Sequence, residues 1–360
     1  MPNIHEIIGF EALLGLIEDV ANGIPDVPLP PGFFTLTEPV EANRGNFVVS
    51  QGTRQTSKIV RFGSPSQSRE RAGLDNRQVT LIHTKENEKH GEEVLIQLRD
   101  FDSPRRQELG RMEIDRQMAI FLMRFQNLRT ASVHSMLSRG KISVDGSQNL
   151  IPTDTGAEVI IDMQVPDDHK NQADTILDTS WDDPTADIVG QIEDLQVKSA
   201  EDTGMLLSHA IYGSNVLGNL IANNQIGEFL KADGGLSTSF GKLKIPDGFL
   251  EMTWWSGSKA LYAQDDGTIF KWFDPDALVL MPDVSPMWYA MLEGTSAVPT
   301  DLGSVMDDPL GSIANLQEVR GPFSYARVTD DPVGIKHIAG DTFLPVSKVP
   351  AALFILNTVF

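Results

Sequence analysis

Near the start of the chain Ile4, Ile7, Ile8, Leu13, Leu14, Ile17 and Val20 recur at spacings that gather on one side of a helix, ending near Gly23 and Pro25. That stripe docks either on the chain's own core or on a partner chain. "PDVPLPPGFF" then breaks regular structure. From about Val40 to Asp100 the apolar positions thin out. Short β-like pieces, Phe47 to Val49, Ile59 to Phe62, Val79 to His83 and Val94 to Leu98, are separated by polar runs rich in Ser, Arg and Gly. They hold too few apolar positions for an independent core, and a long polar excursion is uncommon inside a compact domain unless it serves a function. The pattern predicts an extended hairpin reaching away from its own body.

A long helical pattern follows. Ser103 can cap it, Pro104 suits its first position, and Gly140 suits the residue after its end. Between them Leu109, Met112, Met118, Phe121, Leu122, Phe125, Leu128, Val133, Met136 and Leu137 keep near-helical spacing. Such a helix spans roughly 50 Å at 1.5 Å per residue, which predicts a structural spine. Arg105, Arg106, Arg111, Arg116, Arg124, Arg129 and Arg139 lie along it, and salt bridges to acidic neighbours within or between subunits account for them better than a nucleic-acid stripe. "GKISVDG" and "AEVIIDMQV" then read as strands.

Asp183 to about Arg327 reads as a separate α/β region. It has a helix from Pro184 to about Val197, a strand in "MLLSHAIYG", a helix in "SNVLGNLIANNQIGEFL", and then β-rich sequence. "KALYAQDDGTIFKWF" predicts a hairpin with Asp266 and Gly267 in a tight two-residue turn. "VPAALFILNTVF" is apolar on both strand faces and predicts a buried strand inside a sheet. The chain thus leaves a first layer, builds a second domain and returns to the first, as a length of 360 residues allows.

Composition narrows the function classes. A formal net charge of -21 opposes binding to nucleic acid or anionic lipid through a general positive field. The absence of cysteine excludes disulfides, thiolate zinc sites and cysteine nucleophiles. The N-terminus lacks the basic region of a secretory signal, and no segment approaches the roughly 20 apolar residues of a membrane span, so a cytoplasmic origin is the default. Seven scattered histidines form no H-E-x-x-H spacing. "GGLSTSFGKLK" falls short of a phosphate-binding loop, because five residues separate Gly235 from Gly241 and Leu243 stands where Ser or Thr should hold magnesium.

The carboxylates Asp178, Asp182, Asp183 and Asp187 surround Trp181 and Pro184. Asp183 before Pro184 reads as a helix start: its carboxylate can accept first-turn N–H groups, and proline at the first position loses no hydrogen bond. Asp187 adds negative charge at the positive helix end, and Trp181 can cover the start of the helix. A divalent-cation site or catalytic pair is the competing reading, which would make the protein a metal-dependent hydrolase.

The order of parts resembles the major capsid proteins of tailed bacteriophages, in particular the lambda-type major capsid protein E family. The residues that carry the resemblance are "SVHSMLSRGKISVDG", "TSWDDPTADIVGQIEDL", "LLSHAIYGSNVLGNLIANNQIGEFL", "WWSG" and the closing strand. The resemblance implies an α+β Hong Kong phage-type capsid fold: N-terminal arm at 1–44, E-loop at 45–100, peripheral domain with the spine at 101–183, axial domain at 184–327, and a return at 328–360. It implies a subunit that self-assembles through hexamers and pentamers into an icosahedral shell around phage DNA, with portal, scaffold and decoration proteins as further candidate partners. No catalytic, cofactor or metal residues come with it. Trp181, Asp183, Pro184 and Asp187 form its structural motif, and Arg116, Arg124, Arg61, Arg69 and Arg71 are the candidate assembly contacts. Another virion structural protein is the remaining alternative.

Overall fold

A computed structural model describes residues 29–40, 44–50, 74–90, 104–147, 149–170, 177–232, 245, 249–264, 267–299, 316–330 and 333–360. The expected N-terminal helix, the β-like pieces at 59–62 and 94–98, Asp266, the loop at 234–244, and Arg61, Arg69 and Arg71 lie outside them.

Before the first helix run β1 (Thr37–Val40), β2 (Arg44–Ser50), β3 (Leu74–Thr80) and β4 (Ile82–His90). Helix α1 (Pro104–Arg139) is followed by β5 (Lys141–Asp145), β6 (Leu150–Ile151) and β7 (Ala157–Asp162). Next come α2 (Ile188–Asp202), β8 (His209–Tyr212), α3 (Val216–Ala222) and α4 (Asn224–Ala232). Strands β9 (Thr253–Ser256), β10 (Leu261–Ala263), β11 (Ile269–Lys271) and β12 (Ala277–Met281) complete that region. The chain ends with β13 (Tyr289–Pro299), β14 (Leu316–Arg320), β15 (Phe323–Asp330), β16 (Val333–Ser347) and β17 (Phe354–Asn357).

The spine forms as its pattern predicts. α1 has 36 residues, a length of about 54 Å. Met118, Phe121, Leu122, Phe125 and Arg129 make one buried stripe, and every residue from Ala131 to Leu137 is buried, so the last turns are enclosed on all sides. Two hydroxyls in this enclosed stretch find partners, Ser132 Oγ donating to the Leu128 carbonyl and Ser135 Oγ to that of Lys141, whereas His134 Nε2 has none among the described residues. Gly140 ends the helix at φ +65°, its N–H donating to the Met136 carbonyl at 2.8 Å. A Cβ at Gly140 would lie 2.8 Å from Val165 Cγ2, so both backbone and packing require glycine.

Two sheets organise the rest. In the larger, β1, β13, β16 and β15 lie in that order, β4 also pairs with β16, and β14 pairs with β13. Phe33 wedges the N-terminal turn against Trp288 and Tyr289, and the Tyr289 hydroxyl donates to the Phe33 carbonyl at 3.0 Å, fixing residues 29–40 in the main core. The smaller sheet runs β17-β12-β8-β9 and packs with α2 and α3 around Trp181, Ile188, Ile192, Leu195 and Leu220. β5 pairs with both β6 and β7, β2 with β3, and β10 with β11.

Four expectations change. The helix expected from Pro184 starts at Ile188 with Asp187 as its cap: Asp187 Oδ1 accepts from the Gly190 N–H at 3.1 Å. Asp183 instead accepts from Thr185 N–H at 2.8 Å and Thr185 Oγ1 at 2.7 Å, which closes a turn before the helix rather than starting it. The single helix expected over "SNVLGNLIANNQIGEFL" is two, broken where Asn223 takes an extended ψ of 133° and its Oδ1 caps the N–H groups of Gln225 and Ile226. The β10–β11 hairpin forms, but its loop is longer than two residues, since Gln264 N–H bonds the Thr268 carbonyl and Gly267 sits at φ +84°. Finally, β17 is buried yet lies at the edge of its sheet, next to β12 rather than between two long strands.

Strand pairing also cuts across the sequence division. β13 falls within 184–327 and β15 straddles its end, yet both pair with β16, while β17 joins the sheet of β8, β9 and β12. Val79 to His83 is interrupted at Leu81, which dips into the main core between β3 and β4.

Candidate assembly surface

Two paired strands lead into and out of the segment at 51–73. β2 and β3 form an antiparallel ladder from Arg44 opposite Thr80 to Ser50 opposite Leu74, and Val49 and Val79 pack against the main core. β4 then pairs with β16 from Ile82 opposite Phe343 to His90 opposite Ile335. Gly340 lets these strands close up, because a Cβ there would sit 2.5 Å from Phe323 Cζ and 2.8 Å from the Thr84 carbonyl. The polar sequence of β4 suits a strand that is only half covered: Ile82, Thr84, Glu86 and Glu88 face inward and His83, Lys85, Asn87 and Lys89 outward. Beside the hairpin base, Arg77 Nη1 donates to the Met163 carbonyl, and β7 exposes Val159 and Ile160 along a groove of about 550 Å³.

The spine is tied to this sheet by charge. Arg129 Nε and Nη2 donate to both carboxylate oxygens of Asp341 at 2.6 and 2.8 Å, and Nη1 donates to Glu293 at 2.9 Å. Arg129 also lies over the Phe343 ring, 5.2 Å from its centre, and Asp341 is wholly buried. Burial alone opposes the guanidinium charge, yet the hydrogen bonds and charges of Asp341 and then Glu293 raise its pKa further above the ordinary arginine value. α1, β13 and β16 therefore meet at one satisfied ionic junction. Farther along α1, Arg124 pairs with Glu86 of β4 at 3.1 Å, and Arg116 with Glu113 one turn away at 3.7 Å. Both of these arginines are exposed, as are Met112, Ile120 and Met123 beside them.

The motif around Trp181 is a junction. Trp181 is buried, its Nε1 donates to Gln191 Oε1 at 2.7 Å, and its N–H donates to the Thr358 carbonyl at 2.8 Å. The Pro184 carbonyl accepts from Asn224 N–H, and Asn223 Nδ2 donates to the Ala186 carbonyl. This segment thus ties α2, the α3–α4 break and the C-terminal strand together. Asp178, Asp182, Asp183 and Asp187 are all exposed. Hydrogen bonds from the Thr185 N–H, then from its hydroxyl, hold Asp183 below the usual carboxylate range.

Among the described residues, the potential metal ligands that converge are not these but Asp168, His169 and Asp202. His169 is buried against the Phe354 ring with its Nε2 at 3.1 Å from Asp202, and Lys198 Nζ already occupies Asp168 at 2.7 Å. Burial pushes the His169 pKa down, although hydrogen bonding to Asp202 opposes the shift. An ammonium in this position supplies the counter-charge that a cation would otherwise provide.

The sequence pattern of the phage major capsid protein E family matches residues 29–301, well over half of the chain. The chain belongs to the phage major capsid protein E family. This capsid protein is a shell-forming structural protein of the virion, and its α+β architecture is the Hong Kong phage-type capsid fold. A crystal structure assigned as a prophage capsid protein of E. coli CFT073 shares 15% sequence identity, covers 97% of this chain and 99% of that one, and superimposes with a TM-score of 0.54. A phage-related protein from Bordetella bronchiseptica RB50 is 12% identical over 96% of each chain, with a TM-score of 0.49. No curated protein sequence matches the chain. The hydrolase reading of the Asp178 to Asp187 group finds no support: its residues cap a helix, close a turn or face solvent.

Arg129 is one of seven arginines along the spine, and nothing in its residue type sets it apart from the other six. Its position on the buried stripe, four residues after Phe125 and eleven after Met118, was the available signal. Its partners on β13 and β16 had none.

Proposed function

We propose that copies of this subunit gather into rings of five and six that close an icosahedral shell around phage DNA, and that the arms do the joining. The observation that carries this reading is the hairpin base, two polar strands paired to each other and continued by a third that is locked to β16, with 23 intervening residues from 51 to 73 available to reach a neighbour. Exposed Arg116 and Arg124, with Arg61, Arg69 and Arg71 of the connecting segment, are the proposed contacts to acidic surfaces of adjoining subunits. Trp181, Asp183, Pro184 and Asp187 serve architecture, and the subunit carries out no catalysis.

The arm at 1–44, the E-loop at 45–100 and the spine-bearing peripheral part remain the proposed working units. Strand pairing suggests that β13 to β16 work with the peripheral part and β17 with the axial one. The net charge of -21 favours a lining that repels DNA and lets it slide during filling. Portal, scaffold and decoration proteins are proposed partners, with synthesis in the host cytoplasm before assembly.

Replacing residues 51–73 by a two-residue Asn-Gly turn tests the reading, since Ser50 and Leu74 are the outermost paired residues of the hairpin. The variant should fold with unchanged thermal stability yet form no shells. Shells in wild-type yield would refute the role of the arm.

A further inference from the structure

Two strand edges face each other across the groove of about 550 Å³ beside the hairpin base. Its walls are runs of consecutive residues, 77–80 of β3 on one side and 159–162 of β7 with the two residues after it on the other. Side chains alternate between the faces of a strand, so a wall made of consecutive residues is the edge of the strand and neither of its faces. Among the described residues β3 pairs with β2 alone and β7 with β5 alone, which leaves both of these edges without a main-chain partner. The two strands are also oriented alike. Val79 and Ile161 pack against the main core, while Gln78, Thr80, Ile160 and Asp162 are exposed. β2, β3, β7, β5 and β6 thus lie over one core as a sheet with a place left open between β3 and β7.

What crosses the open place is a side chain: Arg77 Nη1 donates to the Met163 carbonyl at 3.4 Å, a long bond. Adjacent strands lie about 4.8 Å apart, so an arginine stretched from one edge to the other suits a gap one strand wide. Val159 is 50% and Ile160 46% exposed on opposite faces of β7, and an open edge with apolar side chains invites another strand. The occupant this place calls for is extended, uncharged and apolar where it meets the core. Residues 94–98, VLIQL, have that pattern, with Val94, Ile96 and Leu98 on one face and Leu95 and Gln97 on the other. The β-like piece at 59–62 fits less well, because Arg61 shares a face with Ile59. Residues 94–98 of the same copy cannot reach. The gap adjoins the C-terminal end of α1, where Met163 N–H donates to the Gly140 carbonyl, whereas 94–98 lead into its N-terminal end at Pro104. From Leu98 to Pro104 the chain extends about 20 Å at most, against a helix length of about 54 Å.

We propose that residues 94–98 of one copy enter the gap between β3 and β7 of another as an added strand. Main-chain bonds to both edges then replace the single Arg77 crossing, and Arg77 turns out of the gap. Val94, Ile96 and Leu98 cover Val159 on the core side, and Leu95 lies beside Ile160 on the outer side. The donated strand and the gap are different parts of one chain, so the contact is heterologous and generates rings when its rotation closes. The inference rests on the shell reading and names the partner of one of its surfaces.

The chain has no cysteine, so cysteines placed at Ile96 and Val159 report without background. Wild-type shells are counted first; if none form, the shell reading and this inference both fail. Shells are then assembled from an equal mixture of Ile96→Cys and Val159→Cys subunits and treated with a short bis-maleimide. The added strand predicts 96-to-159 dimers from the mixture and a ladder of linked subunits from the double variant. Unassembled double-variant subunits should show no internal link. Normal shells with no linked dimers, links from Val159→Cys to Val60→Cys in their place, or a link inside one unassembled subunit would overturn the assignment while leaving the shell reading intact. Hydrogen exchange on the wild-type chain is the second readout, and it needs no substitution. Amides of residues 157–162 should exchange roughly tenfold or more slowly in shells than in free subunits, since an edge that gains a strand opens only when that strand leaves. Equal rates would overturn strand addition, whether or not the cysteine variants assemble.

Discussion

Replacing Arg129 by methionine isolates the ionic junction between the spine and its sheet. The change keeps most of the aliphatic stem over Phe343 but leaves Asp341, wholly buried, and Glu293, whose side chain is 17% exposed, without their cation. Removing one partner of a buried pair costs about 3–5 kcal/mol, because the remaining charge is stranded where water cannot solvate it. Spread over a 360-residue chain, with an unfolding entropy on the order of 2 cal/mol/K per residue, that corresponds to a melting temperature lower by about 4–7 °C. Urea unfolding of unassembled subunits, followed through the five tryptophans, measures the loss directly. The double variant Arg129→Met with Asp341→Leu should be more stable than Arg129→Met alone, since no buried carboxylate remains at position 341. A loss below about 1 kcal/mol for Arg129→Met, or strict additivity in the double variant, would refute the reasoning.

Burial holds the His134 pKa at about 3 against an ordinary value of 6.5, so the folded state stays neutral while the unfolded chain takes up a proton below that ordinary value. Stability from this group is therefore complete above pH 6.5 and falls as the pH drops, reaching a loss of about 2 kcal/mol near pH 5. His134→Leu should flatten that part of the stability profile, and an unchanged slope in urea titrations would contradict it. Asn223→Ala removes both the cap of α4 and the donor to the Ala186 carbonyl, at a cost of about 2–4 kcal/mol. Asn223→Asp, which keeps the cap, should fall between wild type and alanine, and equal losses would deny the cap a role. Arg124→Glu breaks a half-exposed pair with Glu86, so subunit stability should change by about 1 kcal/mol while shell yield falls. An unaffected yield would count against Arg124 as an assembly contact.

The spine was legible because its signals are local: Pro104 and Gly140 bracket a stripe whose period the structure keeps. The β2–β3 pairing falls where the sequence offers Phe47 to Val49 and Val79, but β4, almost wholly polar from His83 to His90, has no apolar pattern to announce its place beside β16. Other features depend on partners far away in sequence. Asp183 and Asp187 are equally competent helix caps, and Trp181, held to Gln191 and Thr358, fixes where α2 begins. The α3–α4 break was written in Asn223 and Asn224, but the apolar spacing across them fits one helix as well as two. The clamp at Arg129 needs an aspartate 212 residues away, which no local pattern can announce. β17 is apolar on both faces because helical elements cover it, and that cover hides its place at the edge of the sheet.

Electron microscopy of the purified full-length chain, with sedimentation velocity on the same sample, tests the central claim most directly. The account predicts closed shells whose subunits stand in rings of five and six. A single small species that persists at high concentration, with neither shells nor rings, would contradict it.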